Sequence, residues 1–333
     1  MTREEFSLLL RSFLEKHDRF IIAGHEGPDG DCIGSAVALG LAIRNMGKEA
    51  YIFYDSDGPI VKEAEVSDLL PPVSLEEARK IAAEAPYAFL MLDCSEDKRL
   101  GDGSFLPEQA IDFLCIDHHK QSETPKRLTY VEDHTIATCE ILYYLLTIAK
   151  IPITREMAGA LYLGLATDSG GFRHPGTSED TYKAAAALIE LGADPTRTLN
   201  RQFHTHAFKE YKVMAAVFKK MKLYEGGIVM AAMTRGDLAK IGASPEEASG
   251  MVSHLAEVEE AQVAIYLREL EDEKINCSLR SRDDTDVSKV ARSFGGGGHI
   301  HAAGCTICEP LLLAKKLVLE AVRAEMKNAG PEV

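Results

Sequence analysis

A chain of 333 residues has room for about two domains of roughly 150 residues each. Its 46% hydrophobic and 27% charged residues are ordinary for a soluble globular protein. A formal net charge of −15 excludes a basic surface that coats long nucleic acid, but it leaves room for a small phosphorylated ligand in a local pocket. No apolar run approaches the ~20 residues that span a membrane, so no membrane contact is predicted. The seven cysteines lie mostly in apolar runs, which indicates reduced thiols and a cytoplasmic location.

A strand, a polar loop and a helix follow one another near the N-terminus. Residues 19–24 form an apolar run that predicts a buried strand, and residues 31–46 show the apolar spacing of a helix. Between them, glycines and a proline disfavour a helix, so His25, Asp29 and Asp31 are expected to lie close together. This loop offers nitrogen and oxygen ligands to a divalent cation at the carboxyl edge of a sheet. The alternative is an acidic surface turn in which Asp31 caps the helix.

Strands and helices alternate through the first part of the chain. Further apolar runs predict strands at residues 50–54, 87–92 and 111–116, and helical spacing recurs at residues 74–85, 136–149, 154–167 and 178–191. Near-continuous apolar strands that alternate with helices are typical of a parallel sheet covered on both faces. The predicted fold is therefore α/β, with a doubly wound and mainly parallel sheet in a first domain at residues 1–195.

A helical connector at residues 196–221 is predicted to lead into a second, smaller α/β domain with a mixed sheet, at residues 222–333. The predicted elements of this domain are a strand at 228–233, a hairpin of 262–269 and 274–282, a helix at 286–294, a strand at 302–308 and a helix at 311–327. Four consecutive glycines at residues 295–298 predict a loop before the last strand.

Acidic and imidazole side chains recur where the predicted strands end. Asp93 follows one strand, the Asp117-His118-His119 triplet follows the next, and Asp168 follows an apolar helical run. Because the carboxyl ends of parallel strands share one edge of a sheet, we expect these residues to meet there.

The charge of this set indicates two divalent cations. Asp29, Asp31, Asp93 and Asp168 carry four negative charges, which two such cations neutralise, and the two oxygens of Asp93 can bridge both ions. Mixed oxygen and imidazole ligands suit Mn²⁺ better than Mg²⁺, which prefers oxygen alone. Mn²⁺ is therefore the predicted cofactor, with Mg²⁺ and Co²⁺ as alternatives.

Five segments resemble the motifs of a known family, and they occur in that family's order. Four of them look like the motifs of the DHH phosphoesterase superfamily: GHEGPDGDCIGS, LDCSE, IDHH and GLATDSGGFRH. The fifth, FGGGGHIHAAG, looks like the signature of the associated C-terminal substrate-binding domain. The resemblance spans about residues 20–308, and the compact two-domain length is most similar to the nanoRNase/pAp phosphatase branch.

The resemblance implies a role for each of these side chains. One metal would be held by His25, Asp29 and Asp93, and a second by Asp31, Asp93, His118 and Asp168. His119 would contact the scissile phosphate, and Asp117 would orient an imidazole. The predicted catalytic residues are thus His119, Asp93 and Asp117.

The predicted substrate contacts come mainly from the second domain. They are Arg280, Arg282, Gly296, Gly297, Gly298, His299 and Arg173. The first two arginines lie on the polar face of a predicted strand, where they suit a phosphate or a base, and a solvated strand face is the alternative. The bare backbone of the glycines can approach a phosphate closely, and a flexible surface loop is the alternative.

The resemblance implies a manganese-dependent phosphoesterase that degrades very short oligoribonucleotides, of about two to five nucleotides, to mononucleotides. Dephosphorylation of pAp to AMP is an additional expected activity, so the expected partners are short RNA and a nucleoside bisphosphate. A phosphodiesterase for linear or cyclic dinucleotides and a catalytically silent nucleotide-binding protein are the alternatives. The sequence leaves the cleavage polarity, the preferred substrate and the oligomeric state open, with a homodimer among the options.

Overall fold

The structure is a computed structural model that describes residues 1–56, 62–120, 127–271, 273–282 and 285–328. The chain forms two compact units, Met1–Thr205 and His206–Val333. The predicted connector at residues 196–221 is divided between these two units. Within the described ranges, no helix combines the length and the apolar character needed to cross a membrane.

The first unit contains a five-stranded sheet in which every strand pair is parallel, as predicted. Its strands are β1 Arg19–Ala23, β2 Glu49–Phe53, β3 Ala88–Leu92, β4 Asp112–Asp117 and β5 Thr129–Val131, in the order β2-β1-β3-β4-β5. The strand β5 was not predicted, because three residues are too few to show a periodic pattern.

Helices cover both faces of this sheet. They are α1 Arg3–Lys16, α2 Gly30–Asn45, α3 Ala64–Ser67, α4 Leu75–Glu84, α5 Leu106–Gln109, α6 Thr138–Ile148, α7 Arg155–Asp168, α8 Glu179–Glu190 and α9 Pro195–Leu199. Alternate residues of β1 enter opposite cores. Phe20 and Ile22 pack with α2, α6 and α7, whereas Ile21 and Ala23 pack with α4 on the other face. The sheet is therefore doubly wound, and the ends of its strands remain available for a site.

The start of α2 differs from the sequence-based interpretation. The helix begins at Gly30, and its N-cap is Asp29, whose carboxylate accepts hydrogen bonds from the backbone N–H groups of Asp31 and Cys32, both at 3.1 Å. The alternative in which Asp31 is the cap is wrong. The helix starts at Gly30, one residue earlier than predicted. Asp31 therefore lies in its first turn, where the side chain points inward and is fully buried.

The long helix predicted at residues 196–221 is broken in the structure. After α9 the chain forms a π-helical turn at Asn200–His204, becomes extended at Thr205, and starts α10 Phe208–Lys220. The turn is fixed by tertiary contacts, since Arg201 Nε and Gln202 Nε2 both donate to the carbonyl oxygen of Lys62. Helical periodicity alone cannot show such contacts.

The second unit contains a six-stranded mixed sheet. Its strands are β6 Lys222–Tyr224, β7 Ile228–Met233, β8 Val263–Glu271, β9 Lys274–Ser281, β10 Gly297–His299 and β11 Ala302–Ile307, in the order β10-β11-β9-β8-β7-β6. Only β7 and β8 pair in parallel among the described strands of this sheet. The helices α11 Arg235–Lys240, α12 Met251–Ala256, α13 Val287–Ser293 and α14 Leu311–Asn328 complete the unit together with α10. The predicted hairpin of β8 and β9 is confirmed.

The four glycines at residues 295–298, here called the glycine edge, are not a loop. Gly295, with φ +75°, ends α13, and Gly297 and Gly298 form the edge strand β10 paired with β11. A Cβ atom on Gly296 would overlap the carbonyl oxygen of Gly304, so this position requires glycine for packing. The prediction of a loop was wrong because strand pairing depends on β11, and glycine carries no side-chain pattern that reports it.

Candidate metal centre

The β1–α2 loop positions the first imidazole. His25 is buried, and its Nδ1 atom lies 2.9 Å from the carbonyl oxygen of Glu26. Because a carbonyl oxygen only accepts, Nδ1 carries the proton and Nε2 is directed to the carboxylates. Nε2 lies 3.4 Å from Asp93 Oδ2 and 3.8 Å from Asp29 Oδ1.

Asp93 stands between two imidazoles at the end of β3. Its φ of +59° lies in the left-handed region, which is rare for a residue other than glycine and often marks a functional position. The side chain is almost fully buried. Its Oδ2 atom faces His25, and its Oδ1 atom lies 3.4 Å from Nε2 of His118. One carboxylate therefore presents a different oxygen to each of two histidines.

His118 is the second imidazole, and it follows β4. Its Nδ1 atom lies 3.3 Å from the carbonyl oxygen of Thr135, so Nε2 is again directed to carboxylates. Nε2 lies 3.3 Å from Asp168 Oδ2 at the end of α7, and 4.0 Å from Asp31 Oδ2. Together, the six predicted metal ligands form what is here called the metal cluster: His25, Asp29, Asp31, Asp93, His118 and Asp168.

The N-terminus of α6 supports this cluster, and the sequence analysis missed it. Asp31 accepts hydrogen bonds from the backbone N–H groups of Thr138 at 2.6 Å and of Cys139 at 2.9 Å. The hydroxyl group of Thr138 donates to Asp93 Oδ1 at 3.1 Å. The α6 N-cap, Ala137, has no side-chain oxygen, so the carboxylate of another helix takes the role of a cap. The signal in the sequence was the start of a helix without a residue whose side chain could cap it.

Asp117 and His119 form a separate pair next to the cluster. Asp117 is buried, and its Oδ1 atom accepts from the backbone N–H of His119 at 3.0 Å and lies 2.8 Å from Nδ1 of the same residue. This hydrogen bond raises the pKa of His119. The ring is 41% exposed and lies 3.7 Å from Asp93 Oδ1. Asp117 therefore holds the His119 ring at the open side of the cluster and favours its protonated form.

The cluster fits divalent cations. Asp93 Oδ2 and His118 Nε2 are buried and have no hydrogen-bond partner among the described residues. Burial and the negative charge of Asp31 raise the pKa of Asp93 to about 8, and burial together with neighbouring carboxylates raises the pKa of Asp168 to about 10. With all its carboxylates ionised, the site would thus carry more negative charge than its protein surroundings can balance, and divalent cations would supply the missing positive charge.

The described residues contain three groups in which the potential ligand atoms all lie within 4.8 Å of one another. These groups are His25, Cys32 and Asp93; Asp93, His118 and His119; and Asp31, His118 and Asp168. Asp29 is absent from these groups; its side chain is 55% exposed and also caps α2. Cys32 was not predicted as a site residue, and its thiol is fully buried beside Gly24. Asp93 and His118 each belong to two of the groups.

The predicted substrate residues lie outside the metal cluster. Arg173 is exposed in the turn after Asp168, where its Nε atom donates to the carbonyl oxygen of Gly170 at 2.9 Å. In the second unit, Arg280 is half-buried on β9, and burial lowers its pKa. Arg282 is exposed just after β9, and one Nη atom donates to the carbonyl oxygen of Val258.

The remaining predicted substrate residues lie at one edge of the second sheet, and β6 forms the other edge. Gly297, Gly298 and His299 are exposed in β10, and Gly296 precedes them. Gly298 has a φ of +138°, and a Cβ atom there would crowd Ala302 and Ala303. A Cβ atom on Gly297 would meet nothing within 4 Å. Packing therefore explains Gly296 and Gly298, the positive φ explains Gly295, and Gly297 is left unexplained.

Buried carboxylates and imidazoles at the carboxyl edge of a doubly wound parallel sheet define an α/β protein with a metal-binding centre. Residues 19–165 match the DHH family, N-terminal domain, and residues 225–328 match the DHHA1 domain. The chain belongs to the DHH family.

Individual relatives agree with this assignment. The chain is 31% identical to the bifunctional oligoribonuclease and PAP phosphatase NrnA of Thermus thermophilus, over 93% of this chain and 90% of that protein. It is 27% identical to the protein of the same name from Bacillus subtilis, over 87% of this chain and 90% of that one. The crystal structure of an exopolyphosphatase-related protein from Bacteroides fragilis shares the fold, with a TM-score of 0.90, 23% identity and 98% of each chain covered.

Proposed function

We propose that this chain is a manganese-dependent phosphoesterase that hydrolyses very short oligoribonucleotides to mononucleotides and dephosphorylates pAp to AMP. The observation that carries the proposal is the position of Asp93, whose two oxygens each lie 3.4 Å from a different histidine. A buried carboxylate that lies between two nitrogen ligands is placed to bridge a pair of cations. The activities for which the relatives are named support the substrate class.

In this proposal, two cations occupy the metal cluster. One is held by His25, Asp29 and Asp93, and the other by Asp31, Asp93, His118 and Asp168. Four carboxylates balance the charge of two divalent cations, and the imidazole ligands favour Mn²⁺ over Mg²⁺. When bound, the cations supply Lewis acidity, which lowers the pKa of water and neutralises phosphate charge.

The residues around the cluster have separate roles in this proposal. His119 donates a hydrogen bond to the scissile phosphate, and Asp117 fixes its ring and raises its pKa, which favours the protonated form. Thr138 positions Asp93 through its hydroxyl group. The substrate contacts assigned to Arg173, to the arginines of β9 and to the glycine edge with His299 stay predictions.

A substrate panel tests the proposal. Turnover in Mn²⁺ is measured for pAp, a 5′-phosphorylated diribonucleotide, a longer RNA, a cyclic dinucleotide and pyrophosphate. We expect hydrolysis of the diribonucleotide and of pAp, with rates that fall as the RNA becomes longer. Activity confined to the cyclic dinucleotide or to pyrophosphate would overturn the substrate assignment and retain the phosphoesterase. Metal binding without turnover of any substrate would overturn the enzymatic role.

A further inference from the structure

Arg99 lies beside the loop that carries His25. It belongs to a 3₁₀-helical segment, Asp97–Gly103, which follows β3 and Asp93 in the chain. The backbone N–H of Glu26 donates to the carbonyl oxygen of Arg99 at 2.6 Å, and the carbonyl oxygen of Glu26 accepts from His25 Nδ1. Two hydrogen bonds in series thus connect the backbone at Arg99 to the first imidazole of the metal cluster.

The charges next to Arg99 are paired, whereas its own guanidinium has no such partner among the described residues. Lys98 forms an ion pair with Glu96 at 2.6 Å, and Arg127 forms one with Asp97 at 2.8 Å. Arg99 is half-buried, and no described residue forms a hydrogen bond or an ion pair with its side chain. A guanidinium carries five N–H donors, so Arg99 has hydrogen-bonding capacity for a ligand that the described residues do not use.

The positive charge of Arg99 affects the pKa values of two residues beside the metal cluster, His119 and Cys94. Asp117 raises the pKa of His119 through its hydrogen bond, and the charge of Arg99 opposes this rise. Burial raises the pKa of the thiol of Cys94, the residue after Asp93, and Arg99 opposes that rise too. The placement itself rests on the backbone, since Arg99 follows Asp93 by six residues and its carbonyl oxygen is bonded by the residue after His25. The electrostatic effect on His119 agrees with this placement.

A phosphate in this site needs more positive charge than two cations provide, because four carboxylates already neutralise them. A planar guanidinium matches a pair of phosphate oxygens, and such charge-assisted hydrogen bonds are strong. We infer that Arg99 binds the non-bridging oxygens of the phosphate that is hydrolysed, on the same side of the cluster as His119. This inference rests on the proposed function and adds a residue to its site.

Two variants of Arg99 and one matched control test the inference. Arg99→Gln removes the charge, and Arg99→Lys keeps the charge but loses the planar pair of donors. Arg323→Gln makes the same change at an exposed position of α14 that has no described side-chain partner. For a 5′-phosphorylated diribonucleotide, we expect kcat/KM to fall about 10- to 100-fold in Arg99→Gln and less in Arg99→Lys. The control should match the wild type.

Three substrates locate the phosphate that Arg99 contacts: the diribonucleotide with a 5′-phosphate, the same molecule without it, and pAp. Equal losses on all three support contact with the reacting phosphate. A loss on pAp and the 5′-phosphorylated dinucleotide that spares the dinucleotide without a 5′-phosphate would place Arg99 at another phosphate and overturn the inference, as would wild-type kinetics in Arg99→Gln. The affinity for Mn²⁺, measured by calorimetry, should not weaken, because the arginine is not a metal ligand.

A binding measurement separates failure of this inference from failure of the proposed function. If the wild type hydrolyses none of the three substrates, the proposed function fails. The affinity of the Mn²⁺-loaded protein for inorganic phosphate then still tests Arg99. Weaker phosphate binding in Arg99→Gln than in Arg323→Gln supports the inference, and equal binding in the two variants overturns it.

Discussion

The metal cluster of the first unit and the glycine edge of the second unit are built in opposite ways. In the cluster, the positions of the side chains are what matters, and hydrogen bonds from elements distant in the chain fix these positions. For example, two backbone N–H groups of α6 donate to Asp31. In the glycine edge, the absence of side chains is what matters. Gly295 and Gly298 have positive φ values, and Gly296 packs against the backbone of β11.

This difference shows when the type of a residue indicates that it binds a ligand and when it does not. An aspartate with a buried oxygen that has no hydrogen-bond partner has few structural reasons to be there, so the cluster indicates a ligand directly. A glycine that packing requires says nothing about a ligand. Gly297 is the exception in the glycine edge, since neither its φ nor its surroundings exclude a side chain. The following predictions test this contrast.

Loss of the shared carboxylate should have the largest effect. We expect Asp93→Asn to lower kcat/KM by at least about 100-fold and to weaken the binding of Mn²⁺, because both imidazoles face this side chain. The metal-free protein should keep its free energy of unfolding at neutral pH, since Asn replaces a carboxyl group that burial and neighbouring carboxylates already keep largely protonated. Asp18→Asn is the matched control, because the Asp18 side chain is 96% exposed. Wild-type metal binding by Asp93→Asn would contradict the shared-ligand assignment.

In the glycine edge, two neighbouring substitutions should differ in stability. Gly296→Ala is expected to lower the free energy of unfolding by about 2 kcal/mol, because its Cβ atom would overlap Gly304 and Cys305. Gly297→Ala should change it by less than about 0.5 kcal/mol, because its Cβ atom would meet open space. Urea denaturation measures both. If Gly297 approaches substrate through its backbone, its variant should still raise KM for nucleotides, and unchanged kinetics would rule out that contact.

The binding of metal should depend on pH. In the metal-free protein the pKa of Asp93 is about 8 and that of Asp168 about 10, both above the ordinary value of a carboxyl group. The pKa of His25 is shifted in the same direction, because its interactions with the carboxylates of Asp29 and Asp93 outweigh its burial and raise the pKa to about 10. All three protons must leave before the groups can act as ligands, so affinity for Mn²⁺ should rise between pH 6 and pH 8.5. Calorimetry in two buffers with different ionisation enthalpies should show proton release.

The same shifts fix how the stability of the metal-free protein changes with pH. Its native state binds protons that the unfolded chain has already released, because the carboxyl groups of the unfolded chain ionise near pH 4 and its histidine near pH 6.5. The free energy of unfolding should therefore fall as pH rises from 6 to 8.5. Added Mn²⁺ should remove this loss. A stability that rises over this range without metal would show that the cluster is not short of positive charge.

The smallest effect is expected from a supporting hydroxyl group. Thr138→Val removes the hydrogen bond to Asp93 and should weaken the binding of Mn²⁺ several-fold, by about 1 kcal/mol. Thr147→Val is the control on the same helix, where the exposed hydroxyl group bonds only the carbonyl oxygen of Tyr143 among the described residues. Equal metal affinity in the two variants would mean that Asp93 is held by the backbone alone.

Much of the first unit could be predicted because strand ends concentrate its chemistry. Apolar runs located β1, β3 and β4, and the polar residues just after them met at one edge as expected. Thr138 could not be found in this way, because it acts on Asp93 from 45 residues away and has no motif of its own. The break before α10 also depended on a distant contact, from Lys62 to the π-helical turn.

The second unit was harder to predict where its backbone determines the structure. The alternation of β9 was clear, with Ile275, Cys277 and Leu279 buried on one face. The strand β10 was missed because its glycines have no alternation, and only pairing with β11 makes it a strand. Arg99 was not singled out either, since one arginine in a charged segment looks like solvated surface until its neighbours are seen to be paired.

Asp31 is both a candidate metal ligand and the cap of a helix to which it does not belong. The lone pairs that a cation would use are on the same oxygens that accept from the N–H groups of Thr138 and Cys139. Metal occupancy should therefore register in the main chain, as a change in the amide resonances and hydrogen-exchange rates of these two residues. The fold contains its own spectroscopic reporter of metal loading, and it can be followed without any substrate.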